Sequence, residues 1–250
     1  MNQINVSKFL DDLLWALDKH RKKTKINTSV YLSEVELRQK FYLKAKKELN
    51  KELAHDFNIF DFINTDERKL SAVIEFLLNP SSSHGQGITF LKLFLSMLQR
   101  KTDLLNSIDT YKLNDTYSCC EYLIRTDKIS YKMLDVFVLL NNNTEEFVVA
   151  LENKPFVGEH YKQVANYIEF LDNKYLDKYL FVFLSSRGED PVSILDKKLL
   201  KRLKSKGILV ILSYDDLAHM WLQFCFKECE AEKIRWFLRD FISYIKINIK

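Results

Sequence analysis

The sequence predicts an α/β fold: a mixed central sheet flanked by helices on both faces, with an N-terminal helical extension over residues 1–58 ahead of a main domain at 59–250. Three observations predict it. Residues 133–151 hold two short apolar runs on either side of an Asn cluster, a hairpin signal. Residues 180–184 and 208–212 are unbroken apolar runs of the fully buried kind, and a helical stretch at 191–205 separates them. A strand, a crossover helix and another strand make a parallel pair. Finally, residues 6–23 and 33–56 show helical rather than alternating apolar spacing.

Composition bounds the class. A chain of 250 residues, 47% hydrophobic with 5 Gly and 3 Pro, is long enough to bury a large core and too apolar for disorder. Net charge is +4, from 38 basic and 34 acidic residues, which suits nucleic acid without requiring it. Cys119 and Cys120 are adjacent and Cys225 and Cys229 lie one helical turn apart, with no second pair to complete a zinc site. They read as reduced thiols of a cytoplasmic protein. The first residues are mostly polar, Asp11-Asp12 interrupts the next apolar stretch, and no run approaches the roughly 20 apolar residues of a membrane span.

In chain order, Phe9, Leu10, Leu13, Leu14 and Leu17 mark a first helix, and Leu37, Phe41, Ala45, Leu49 and Leu53 a second. Their Lys44, Lys46 and Lys47 face either solvent, a partner, a second copy or a DNA backbone. Asn64 with Glu67 three residues later fits a capping box for a helix carrying Leu70, Val73, Ile74, Leu77 and Leu78. The loop PSSSHGQG at 80–87 follows, either capping the helix at 88–100 through Ser83 or His84 or letting the backbone approach a ligand. A strand at 119–124 precedes the hairpin, with Arg125, Lys128 and Lys132 near its end. After the hairpin, a helix at 158–171 carries Gln163 and Tyr167 one turn apart. Asp215-Asp216 caps a helix at 217–226, and 234–245 is a closing amphipathic helix.

The hairpin places charges where an apolar face would not. With the turn centred on Asn142 and Asn143, Leu140 faces Glu145 and Asp135 faces Ala150, so Glu152 and Lys154 share the face of Asp135. Glu152 is then its diagonal neighbour, with Cβ atoms roughly 7–8 Å apart. Two carboxylates on an apolar sheet need a shared cation or proton. A hard divalent ion such as Mg²⁺ takes one or two carboxylates and keeps waters, and beside it Lys154 balances developing negative charge.

Asp135 followed by Glu152-Asn153-Lys154 resembles the D…(D/E)xK signature of the PD-(D/E)XK nuclease superfamily, and Gln163 to Tyr167 matches the QxxxY element that follows it in many members. Residues 67–95, with HGQG after an acidic helix, are similar to the N-terminal part of one bacterial branch. Leu134 stands where the signature has Pro. The resemblance implies a restriction-endonuclease-like fold and a Mg²⁺- or Mn²⁺-dependent nuclease, with DNA as substrate. It makes Asp135, Glu152 and the helix-borne Glu67 the metal ligands. Lys154, Gln163 and Tyr167 join them as catalytic residues, and His84 and Gln86 become substrate contacts. It also implies defence against foreign DNA or DNA repair, with a homodimer or a partner protein. The competing reading is a catalytically silent nuclease-like module for binding or assembly in a larger complex.

Overall fold

A computed structural model describes residues 6–54, 57–63, 65–106, 108, 113, 115–125, 131–141, 146–156 and 158–249. The chain divides into two compact units, Met1–Phe57 and Asn58–Lys250.

The first unit is one helix, α1 (Val6–Leu53), 48 residues long. The sequence predicts two helices here, at 6–23 with a basic C-terminal end and at 33–56; the structure joins them. No Gly or Pro occurs between residues 6 and 53. The Thr24 and Thr28 hydroxyls donate back to the His20 and Thr24 carbonyls at 2.9 and 2.8 Å, and Ser33 donates to the Val30 carbonyl at 2.7 Å. Hydroxyls closed on their own helix no longer compete with it.

The second unit is built on a five-stranded sheet in the order β1 (Asp115–Arg125), β2 (Tyr131–Asn141), β3 (Glu146–Lys154), β4 (Tyr179–Ser185) and β5 (Leu209–Ser213). β1, β2 and β3 pair antiparallel, while β3, β4 and β5 pair parallel, as the apolar runs predict. Every residue of β4 is buried, so both faces must be covered. One face packs under α2 (Glu67–Leu78), α3 (Thr89–Gln99) and the C-terminal helices, around Leu70, Phe94, Val149 and Trp221. The other packs under α4 (Gln163–Tyr175) and α5 (Lys197–Ser205), around Val164, Ile168 and Phe181. Fully burying each such side chain contributes about 1.5–3 kcal/mol.

The C-terminal helices are α6 (Tyr214–Leu217), continued by a π segment (Ala218–Leu222) into α7 (Gln223–Glu228), and then α8 (Glu232–Asn248). Ser213, not Asp215, caps α6: its hydroxyl accepts the Asp216 N–H, and Asp216 accepts the Ser213 N–H. α4 and α5 begin later than predicted, at Gln163 and Lys197, and α3 starts after Ile88 with no side-chain cap from Ser83 or His84. Asn64, proposed as the cap of α2, lies outside the described residues; Asp66 accepts the Lys69 N–H at 2.9 Å and caps the helix. All four cysteines are free thiols.

The hairpin register differs from the expected one by two residues. Leu140 faces Phe147 and Phe137 faces Ala150, so the connection is two residues longer than a turn on Asn142 and Asn143, which lie outside the described residues. A shift of two preserves the side-chain parity. Glu152, two residues beyond Ala150, therefore stays on the α4 face. The β2–β3 ladder stops at Val136 opposite Leu151, and the β1–β2 ladder skips Glu121 and Asp135. Glu121 sits there at φ +51°. Asp135 is thus released from both ladders at the point where the sheet opens.

Candidate active site

Four elements converge at that opening. β2 brings Asp135, the end of β3 brings Glu152 and Lys154, the first turn of α2 brings Glu67, and the first two turns of α4 bring Gln163 and Tyr167. Where β2 leaves β3, the Asn153 backbone N–H donates to Asp135 Oδ2 at 2.7 Å, a side chain standing in for the missing strand. Lys154 Nζ is 2.6 Å from Glu67 Oε1 and 3.0 Å from Glu152 Oε1. Carboxylate oxygens of Glu67, Asp135 and Glu152 lie within 4.8 Å of one another, the one such group of metal-ligating side chains among the described residues. Glu67, Asp135 and Lys154 border a cleft of about 330 Å³ that Lys132, His160 and Arg68 also line, and Glu152 is fully buried beside them.

The α4 pair holds the acids rather than reaching into the cleft as free groups. Gln163 Nε2 donates to Glu152 Oε1 at 2.5 Å and to Tyr167 Oη at 3.1 Å, while its Oε1 accepts the His160 N–H at 3.0 Å. Tyr167 donates to the Met133 carbonyl at 2.7 Å, tying α4 to β2. The QxxxY spacing therefore places both residues on one helix face toward the acids, as one turn of helix requires.

Sequence reasoning missed the support on the opposite face of β3. Asn153, between Glu152 and Lys154, points the other way. It accepts from Tyr214 Oη at 2.7 Å and donates to Ser71 Oγ at 3.0 Å and the Glu67 carbonyl at 3.3 Å. This network fixes the first turn of α2, and with it Glu67, against the strand that carries Glu152 and Lys154. An Asn in the middle of an apolar strand is the signal that could have found it.

The structure does not bring His84 and Gln86 to this cleft. They follow the far end of α2, roughly 16 Å of helix from Glu67. His84 is 1% exposed, with its ring against Phe76 and Phe90, and its Nδ1 accepts the Gln86 N–H at 2.9 Å. Gln86 Oε1 accepts the Glu230 N–H.

The electrostatics follow from burial. Glu152 is fully buried, and burial first, then the Asp135 charge, holds its carboxyl well above the usual range. Burial raises Asp135 to about 6, against the pull of the Asn153 N–H and Lys154. Burial works to discharge Lys154, but Glu152 and Glu67 outweigh it and hold its ammonium more firmly than usual. One firmly charged Lys faces three carboxylates. Glu152 Oε2 is buried without a hydrogen-bond partner. A divalent cation fits this donor set: oxygens only, clustered, carrying unbalanced negative charge, with one buried lone pair unused.

A family model described as PD-(D/E)XK nuclease superfamily matches residues 57–243. Comparisons with curated proteins and with solved structures return no match.

Proposed function

Because the chain belongs to the PD-(D/E)XK nuclease superfamily, we propose that it is a DNA endonuclease using Mg²⁺ or Mn²⁺ held by Glu67, Asp135 and Glu152. The convergence of these three carboxylates on a buried Lys154, at the mouth of a cleft, carries the reading. When bound, the ion supplies Lewis acidity, making water acidic enough to attack phosphorus and neutralising charge on the phosphoryl group.

The remaining work belongs to the chain's own side chains. Lys154 keeps its proton, so it orients the attacking water and stabilises negative charge as a donor rather than acting as a base. Gln163 positions Glu152 and leaves its Oε2 free to face a cation. Tyr167, whose hydroxyl burial holds protonated, fixes α4 to β2. Lys132 and Arg68, on the cleft wall, are placed to meet phosphates. We extend the proposal to a cytoplasmic role against foreign DNA, on the resemblance of residues 67–95 to a bacterial branch of the superfamily.

Purified protein is incubated with supercoiled plasmid, linear duplex and single-stranded DNA, with Mg²⁺, Mn²⁺ or EDTA, beside Asp135→Ala. Nicking or degradation that needs both metal and Asp135 is the expected result. Cleavage by Asp135→Ala at the wild-type level would remove the assignment, and no cleavage with any metal or substrate would favour the silent module. Phage plaque counts on cells expressing wild type or Asp135→Ala test the defence role; equal counts exclude it.

A further inference from the structure

Between Leu14 and Leu49, α1 leaves large apolar side chains in water. Leu14, Leu17, Tyr31, Tyr42 and Leu49 are each 54–65% exposed and Val35 is 42% exposed. They recur with a three-four spacing, 14, 17, 21, 24, 28, 31, 35, 38, 42, 45 and 49, the 3.5-residue period of a coiled-coil seam, which drifts about 20° per heptad on a straight helix and is straightened by supercoiling. Thr24 and Thr28, in its middle, turn their hydroxyls onto the helix backbone. The seam there presents methyl groups. Only Arg21 and Arg38 put charge into it.

We propose that α1 pairs with α1 of a second copy of this chain as an antiparallel coiled coil centred between Ser29 and Val30. The seam is nearly symmetric about that point, and pairing it with itself reversed balances the volume of each layer. Thr28 meets Tyr31, Thr24 meets Val35, Leu17 meets Tyr42 and Leu14 meets Ala45. A parallel pair would stack Thr on Thr in two successive layers and crowd Tyr on Tyr in two others, leaving gaps beside overpacking.

Charge favours the same occupant and direction. A parallel pair sets the basic stretch Lys19, Arg21, Lys22, Lys23 and Lys25 against its own copy. Reversal brings that stretch level with residues 34–40, where Glu34 and Glu36 offset Arg38 and Lys40, in place of a second wholly basic stretch. Such exposed pairs select orientation more than they add strength. The Arg21–Arg38 layer costs stability in either direction. Both chains leave the pair at Leu53, so the two exit points lie at opposite ends, about 70 Å apart. Trp15, Val30 and Leu37 fall on the far side of α1, while the exposed Leu32 and Phe41 flank the seam.

Sedimentation of the full chain tests it, independently of any nuclease activity. Wild type should run at twice the chain mass at about 10 µM, and Leu17→Glu with Tyr42→Glu at the chain mass. Arg38→Glu keeps this result from resting on a damaged fold: it turns both Arg–Arg layers of the antiparallel pair into Arg–Glu, and the dimer should tighten roughly tenfold. In a parallel pair the same change only replaces Arg on Arg by Glu on Glu and brings no tightening. A monomeric wild type, a trimer or tetramer, or a dimer that Arg38→Glu does not tighten overturns the proposal.

Discussion

Two buried side-chain atoms lack a hydrogen-bond partner among the described residues, His84 Nε2 and Glu152 Oε2, and they differ in what surrounds them. His84 lies between Phe76 and Phe90, and burial lowers its pKa, so the ring stays neutral at little cost. Glu152 lies beside Asp135 and Lys154, and neutralising it by proton leaves Lys154 and two further acids to balance. An orphaned polar atom thus points to a ligand where charges converge on it. Among aromatic rings it marks packing.

The largest effects should fall on the Glu152 side. Lys154→Ala and Asp135→Ala should each lower kcat on plasmid by on the order of 10³-fold or more while circular dichroism stays unchanged. A loss under tenfold would break the contrast with His84. Gln163→Ala releases Glu152 without removing a ligand, so metal affinity read by calorimetry should fall about 10–100-fold. Unchanged affinity would reduce Gln163 to packing.

The two sites should also answer pH with opposite sign. Asp135 is raised in the fold to about 6. The stability it contributes is present below the ordinary carboxylate pKa and is lost as pH rises through about 6. His84 is depressed, so its contribution is present above the ordinary imidazole pKa and is lost as pH falls. In metal-free protein at pH 7, Asp135→Asn should therefore stabilise by about 2 kcal/mol, measured by urea unfolding. Destabilisation instead would mean that Asp135 is satisfied without a cation. Metal affinity of the wild type should fall as pH drops below about 6, as protons compete for Asp135.

The smallest catalytic effect is expected at the other orphan. His84→Leu strands the Gln86 N–H and should cost about 1–3 kcal/mol of stability, with kcat/KM within about twofold of wild type. A large loss of kcat/KM would return His84 to the substrate.

Much of this was legible before the fold. β4 and β5 announce themselves as apolar runs because a parallel strand is buried on both faces. Asp135, Glu152 and Lys154 stand out because charge on such strands has no packing reason to be there. The two-residue error in the hairpin register did no harm, since parity survives a shift of two. His84 was less legible. Its loop carries polar and Gly residues that suggest a surface, and only the closure of Phe76 and Phe90 around it makes it core.

The sequence by itself determined the strands and the parity that gathers an acid, an acid and a lysine on one face, because these depend on neighbours a few residues apart; that α1 runs unbroken through residues 24–33 came only with the structure. Tertiary structure alone decided that Glu67 would reach Lys154 from 87 residues away, that Asn153 would fasten α2 to β3, and that the sheet would open at Asp135. Those contacts join segments distant in sequence, and no local periodicity encodes which of them will meet.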